Sequence, residues 1–537
     1  MLTLMNHIEL FAGCGGLSLG LETAGFELFV ANELSPMASE TFAHNLLNAD
    51  FEKEIGTDKV LWVSSTYEKS NLNARLRENP QVANGLSTAH FSDLSQQKIT
   101  KEKLERSLLV GSIVDINAIL DNPESPLGDI LRLGSGDGID LVSGGPPCQS
   151  FSLAGLRDHS NDRNILPWEF AKFVKVTRPK IALLENVSGI LRAFKIDEKP
   201  YYAWFEVAKA FAKIGYVPLC LHINAKYVGA AQNRPRFILI ALRDDIYSRI
   251  ENNSTDQDFV NAIGPAKALY DRVKQGEDPE YGCLPYFDIE KNPNFFNSKI
   301  FSNLKTHGNK ELVTVKDAID DLRTAKGKNS AYVERINSIF KNINGHSLNK
   351  QRNHDQRANN NKVKARFRLY QIMPKLSKKE STEISRYLKS EGATGIRSST
   401  LKAVQRYWIL DLTGRKIEKP DELQLLALLS SLYTKKQTQR ALQADLPAPA
   451  ALSIPDDACH YHESVDMQRT LTVREMARIQ SFPDWYEIKS KVTTGGQMRK
   501  FEVPQYTQIG NAVPPLLGLA LGKVCKGLIE LSRVTKN

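Results

Sequence analysis

The chain has no Cys-x-x-Cys pair. Its six cysteines, Cys14, Cys148, Cys220, Cys283, Cys459 and Cys525, are scattered over 537 residues. That spacing indicates neither a zinc site nor a disulfide framework, so a reducing, intracellular setting without a structural metal is expected. A signal-peptide pattern is missing ahead of the strand-like run reached by Ile8, and no apolar run reads as long enough to span a bilayer. A soluble protein with no membrane partner is therefore expected. The first glycine turn lacks the Gly-x-Gly-x-x-Gly spacing, which argues against a nicotinamide enzyme. No nuclease signature is present.

What the chain does have is length for two or three domains and a net charge of +10, from 71 basic against 61 acidic residues. The excess suits an anionic partner without naming one. From His7 to Ala12 an apolar strand runs into Gly13-Cys-Gly-Gly16, and Leu17, Leu19, Leu21 and Ala24 predict a helix closed by Gly25. A strand, glycine turn and helix open Rossmann-like sheets, where glycines let the backbone approach a nucleotide-like ligand. A second strand, Leu28 to Ala31, ends near Glu33, where an acid can bind ribose hydroxyls. Residues 50–105 form a long polar passage with no assigned role. A strand is then predicted over Leu108 to Ile116, carrying Asp115, with Asp93 as a rival for its role.

The run Leu141-Val-Ser-Gly-Gly-Pro-Pro-Cys-Gln-Ser-Phe-Ser152 reads as a strand feeding a rigid turn. Gly144 and Gly145 permit close approach, and Pro146 and Pro147 fix the direction in which Cys148 is presented. Ile181 to Leu184 reads as a buried strand delivering Glu185 at its carboxyl end, and Phe237 to Leu242 as another strand preceded by Arg234 and Arg236. From residue 244 to 468 the parallel-sheet pattern fades. The basic stretches Lys350 to Arg357 and Lys362 to Tyr370, with Phe367 and Tyr370 interleaved, are candidate phosphate contacts there. Thr472 and Glu475 make a capping box, predicting a helix from Val473 to Gln480. Pro514-Pro515 starts a last helix, Leu516 to Leu531, whose Gly518 and Gly522 allow tight packing.

Pro-Pro-Cys-Gln-Ser-Phe-Ser resembles the catalytic loop of the cytosine-C5 DNA methyltransferases. Further matches follow in that family's order: Glu9-Leu-Phe-Ala-Gly-Cys-Gly-Gly16, Glu185-Asn-Val187, Gln232-Asn-Arg-Pro-Arg236, Arg469-Thr-Leu-Thr-Val-Arg-Glu-Met-Ala-Arg-Ile-Gln480 and Gln508-Ile-Gly-Asn-Ala-Val-Pro514. The resemblance covers about residues 1–243 and 469–530. It implies an α/β, Rossmann-like S-adenosylmethionine-dependent domain (1–243), an inserted variable target-recognition domain (244–468), and a return to the catalytic domain (469–537). The implied activity is site-specific methylation of double-stranded DNA, in a bacterial cytoplasm, protecting it from a cognate restriction endonuclease. A tRNA cytosine-C5 methyltransferase and a non-catalytic DNA-binding homologue are the alternatives.

Carried over residue by residue, the resemblance makes Cys148 the nucleophile, Glu185 the group that meets the ring N3, Arg236 the partner of the cytosine O2, and Arg234 a further cation favouring the thiolate. It places Phe11, Gly13, Gly16, Glu33, Asp115, Ile116, Pro147, Leu166 and Asn511 around the S-adenosylmethionine. Leu34 stands where relatives often carry a larger apolar side chain against the adenine. The chemistry suits these residue types. Cytosine C5 is a poor nucleophile until a thiolate adds at C6, and the charge that follows needs an acid and a cation.

Overall fold

The computed structural model describes the chain except for residues 1–4, 80–90, 95–98, 135, 148–164, 197–198, 325, 342–344, 451–456, 497, 499–500 and 535–537. Cys148 therefore lies outside the described residues. Long apolar runs such as Ile-Ala-Leu-Leu and Phe-Ile-Leu-Ile-Ala-Leu are what strands buried on both faces require. They form one sheet from β1 (Met5–Leu10), β2 (Phe26–Glu33), β3 (Val60–Trp62), β4 (Ser107–Val110), β5 (Leu141–Gly144), β6 (Ile181–Val187), β7 (Tyr216–Asn224), β8 (Pro235–Arg243) and β9 (Tyr286–Asp288). Their order is β9-β7-β8-β6-β5-β1-β2-β4-β3. Every pairing is parallel except those β8 makes with β6 and β7. The chain builds outward from β1 on one side and then crosses to β5 on the other. The order thus reverses at β1, and open α/β sheets take their ligands at such a point.

Helix α1 (Gly16–Ala24) ends at Gly25, whose φ of 102° suits a left-handed cap. The expected strand over Leu108 to Ile116 is corrected. It stops at Val110, Gly111 takes a φ of 152°, and Ser112 caps a helix, α2 (Ile113–Leu120), by accepting the Val114 N–H. Asp115 and Ile116 therefore sit on the first turn of a helix. Helix α3 (Leu166–Thr177) lies against β5, where a Cβ on Gly144 would stand 2.8 Å from the Phe170 ring. The polar passage before Asp115 contributes the edge strand β3, braced by Arg75, which pairs with Asp93 at 2.7 Å and stacks on Trp62. Asp93 also accepts the Trp62 N–H, so this acid serves the sheet edge.

Packing against the sheet continues past residue 244. Ile246, Phe259, Leu269, Phe301 and Phe340 join the hydrophobic cluster of the sheet, and Tyr286–Asp288 extends the sheet itself. A second cluster gathers residues from Ala365 to Leu432, with Ala441 and Cys459. Helix α4 (Asn361–Ile372) lies in it, and this corrects the reading of its basic residues. Arg366 donates to the carbonyls of Leu432 and Tyr433. Arg368 pairs with Glu463 and stacks on Trp408 at 4.0 Å. These two arginines brace the interior of this cluster, while Lys362, Lys375, Lys378 and Lys379 stay exposed.

The chain returns to the sheet through α5 (Val473–Ile479), α6 (Gln505–Asn511) and α7 (Pro515–Arg533). The capping box of Thr472 and Glu475 forms as predicted. Gly20 of α1 and Gly518 of α7 touch so closely that a Cβ on Gly20 would stand 2.4 Å from the Leu519 nitrogen, and one on Gly522 would meet the Ala24 Cβ at 2.6 Å. The stretch Gln505–Arg533 is, against expectation, long and apolar enough to cross a membrane by length and composition. Yet 83% of its most apolar window is buried inside the protein, where it packs against α1.

Candidate functional site

Because the strands run parallel, the carboxyl ends of β1, β2, β5 and β6 lie along one edge, and the antiparallel β8 starts there. This edge brings together Phe11, Gly13, Glu33, Gly145 to Pro147, Glu185 and Arg236. Phe11, directly after β1, holds a φ of 55°, a strained conformation for a residue with a side chain. Gly13 follows with φ 56° and open space where a Cβ would stand, so a ligand can lie against its backbone. Its N–H donates to Glu33 Oε2 at 2.9 Å, and the Ser35 N–H donates to Oε1 at 2.8 Å. Burial raises the Glu33 carboxyl above its ordinary range despite these amides. Leu34 beside it is exposed, an apolar surface next to a polar hook.

Other members of the expected cofactor set fall differently. A Cβ on Gly16 would lie 2.2 Å from the Val513 carbonyl oxygen, so this glycine is required by the returning chain. Ile116 is wholly buried, and Asp115 is buried with Ser64 Oγ donating to it at 3.4 Å. Pro147 is exposed, Leu166 is half-buried at the start of α3, and Asn511 is exposed at the end of α6. Cys14, the cysteine inside the glycine turn, is pushed up to about 12 by burial. Its thiol donates to the Gln508 carbonyl, so it is no nucleophile.

On the other side of β1 the arrangement is cationic. Arg236 Nε lies 2.5 Å from Glu185 Oε1, both side chains being nearly buried. They sit diagonally across the β6–β8 pair, where Arg236 is opposite Val187 and Ile238 opposite Glu185, so the pleat puts both on one face. Glu185 Oε2 also reaches the turn before Cys148, since a Cβ on Gly145 would stand 3.1 Å from it. Asn186, between Glu185 and Val187, is a functional residue that the sequence motif alone leaves without a role. Its amide donates to the Pro146 carbonyl at 3.1 Å and ties β6 to the same turn. The middle residue of a motif whose neighbours carry the chemistry was the available signal. Arg234 differs from Arg236: it donates to the carbonyls of Gly510 and Ala512, at 2.9 and 3.0 Å. Burial, with Arg236 nearby, lowers its pKa well below the usual value. It holds the turn around Asn511.

A model of the C-5 cytosine-specific DNA methylase family matches residues 5–60 and 122–527. The chain is 25% identical to the Type II methyltransferase M.DdeI of Desulfomicrobium norvegicum over 97% of its length and 88% of the relative's. It is 26% identical to M.Bpa9945I of Bacillus paralicheniformis over 98% and 99% of the two chains. Among solved structures, one of the Dnmt2 methyltransferase of S. pombe aligns over 98% of both chains, at 14% identity and a TM-score of 0.38. The family match spans most of the chain: this protein belongs to the C-5 cytosine-specific DNA methylases.

Proposed function

We propose that the chain methylates cytosine C5 in double-stranded DNA at a specific sequence, drawing the methyl group from S-adenosylmethionine. The observation that carries this reading is the meeting of the Glu185–Arg236 pair with the Gly145 to Pro147 turn that leads into Cys148. Mere binding needs no such acid and cation together. S-adenosylmethionine, when bound, supplies a methyl group made electrophilic by its sulfonium. The residues present fit it: the bare backbone of Gly13, the Glu33 carboxylate for ribose hydroxyls, exposed Leu34 for an apolar ring, and Asn511 across the edge.

Cys148 acts as the thiolate that adds to C6 and pushes electron density toward C5. Glu185 meets the N3 side of the ring and Arg236 the O2, where charge develops. Once C5 carries its methyl group, loss of the C5 proton and expulsion of the Cys148 sulfur restore the ring. The base must leave the duplex stack first, at a cost of a few kcal/mol, about what protein contacts can offset. Those contacts are assigned to the helical cluster within residues 244–468, whose exposed lysines are the candidates for phosphate. Protection against a cognate restriction endonuclease is the expected setting.

Bisulfite sequencing of DNA from cells expressing the wild type beside Cys148→Ala tests this. The expected result is protection of cytosines in one sequence context, lost in the variant. Labelled S-adenosylmethionine offered with duplex DNA or tRNA separates the RNA enzyme, because incorporation into tRNA alone would sink the DNA reading. No incorporation into either would leave the non-catalytic homologue.

A further inference from the structure

Ser188, His222 and Asp288 come from three separate segments and form one hydrogen-bonded chain. Asp288, at the end of β9, is the lateral neighbour of His222 on β7, and its Oδ2 lies 2.7 Å from the ring Nδ1. Its Oδ1 accepts the backbone N–H groups of Glu290 and Lys291 at 2.9 and 3.2 Å. Amides only donate, so this carboxyl is held as an acceptor. Opposite a carboxylate, Nδ1 is the nitrogen that carries the proton. Nε2 then offers its lone pair to the Ser188 hydroxyl, 2.8 Å away.

The strand register says where this chain stands. Asn186, Phe237, His222 and Asp288 occupy one rung across β6, β8, β7 and β9. Glu185 and Arg236 are each one residue away along their strands, so the pleat turns them to the opposite face. Ser188 opens the 3₁₀ turn Ser188–Leu191, directly after the strand that carries Glu185 and Asn186. The chain of three therefore anchors, from behind, the segment whose front makes the ion pair with Arg236.

We propose that Ser188, His222 and Asp288 are positioning residues, a relay that fixes the turn after Glu185 and with it the direction in which Glu185 meets the reacting base. This rests on the cytosine-methylation reading above. Edge strand β9 thereby acts on the reaction without touching substrate. Small misplacement of a reacting group lowers turnover more than binding.

The test uses the full-length protein, with ¹⁵N-histidine NMR, amide hydrogen exchange and steady-state kinetics. Wild-type His222 is expected as the Nδ1–H tautomer. Ser188→Ala is expected to raise exchange of the amides of residues 185–191 and to lower kcat about tenfold, with KM for DNA and for S-adenosylmethionine nearly unchanged. Ser188→Thr, which keeps the hydroxyl, restores both. Asp288→Asn offers an amide donor to Nδ1, switches His222 to the Nε2–H tautomer and reproduces the loss. An Nε2–H tautomer in the wild type, wild-type exchange and kcat in Ser188→Ala, or a loss confined to KM overturns the relay. Should Ser188→Ala not fold, the wild-type tautomer and Asp288→Asn decide. The tautomer and exchange need no substrate, so a wild type inactive on every DNA would strike the proposed function while these readouts still judge the relay.

Discussion

Carboxylates removed from solvent titrate in opposite directions in two regions of this molecule. At the edge of the sheet, burial raises Glu9 to about 8 even though Ser18 donates to it, and Glu33 shifts the same way. In the segment from Arg469 to Asp484, burial alone would raise Glu475, yet the Arg469 fork with His460 nearby holds it down to about 2. Asp484 is likewise lowered, by Arg478, which also binds Asp321 at 2.6 Å. The difference is the supply of cations. In the knot each acid has an arginine that binds it directly, as a structural ion-pair network requires. Along the ligand edge Glu9 and Glu33 are answered by a hydroxyl and by amides, which leaves Glu33 able to accept from a ligand. Glu185 is paired with Arg236 and set against the turn before Cys148.

Substitutions that remove a charge while keeping shape would sharpen the contrast. Glu185→Gln is expected to lower methyl transfer per folded molecule by about 10² to 10⁴-fold, the span of a lost acid–base group. Initial rates with labelled S-adenosylmethionine and DNA check this; a rate near the wild type would return Glu185 to the structural class. Glu475→Gln should do the reverse, costing about 3–5 kcal/mol of stability by stranding Arg469 in the interior, with specific activity of the folded fraction retained. Denaturant unfolding reads the first and the same rate assay the second. A milder effect is expected where the two regions are joined through α1 and α7. Gly20→Ala would drive a Cβ into backbone at 2.4 Å and cost about 1–3 kcal/mol by overpacking, seen as a lower midpoint in urea.

How much of this was legible in the sequence follows from the same physics. Strands buried on both faces write continuous apolar runs, so β6 and β8 are legible together with Glu185 and the arginines at their ends. Gly25 and the Thr472–Glu475 box announced helix boundaries, because a left-handed cap and a reciprocal cap leave fixed residue types at fixed offsets. The limit of β4 was not legible: Ser-Ile-Val-Asp-Ile continues an apolar pattern that strand and helix share, and only Gly111 marks the break. Nor does composition distinguish an arginine that meets phosphate from one that meets carbonyls. Arg366 and Arg368 read as a basic face, yet their partners, Leu432, Tyr433 and Glu463, lie more than sixty residues away. Arg234 and Arg236 divide in the same way within one motif: Arg234, just ahead of β8, meets the carbonyls of Gly510 and Ala512, while Arg236 is fixed by where β6 places Glu185.

The finest test of the contrast is a pH dependence whose sign differs between the regions. Glu9 has a folded pKa near 8 against an ordinary value of 4.5, so between those values the unfolded chain has released a proton that the folded chain keeps. Stability must then fall as pH rises through that window, by at most about 1.4 kcal/mol per unit for one group. Glu475, with a folded value of about 2, gives the opposite slope: its contribution is present above the ordinary value and is lost as the pH falls toward 2. In Glu9→Gln the downward slope between pH 5 and pH 8 should flatten, while the loss on acidification persists, both measured by unfolding free energy at fixed ionic strength. A slope unchanged by Glu9→Gln would mean that Glu9 is ionised in the fold. The ligand edge would then resemble the knot, and the counter-charge argument would fail at its simplest member.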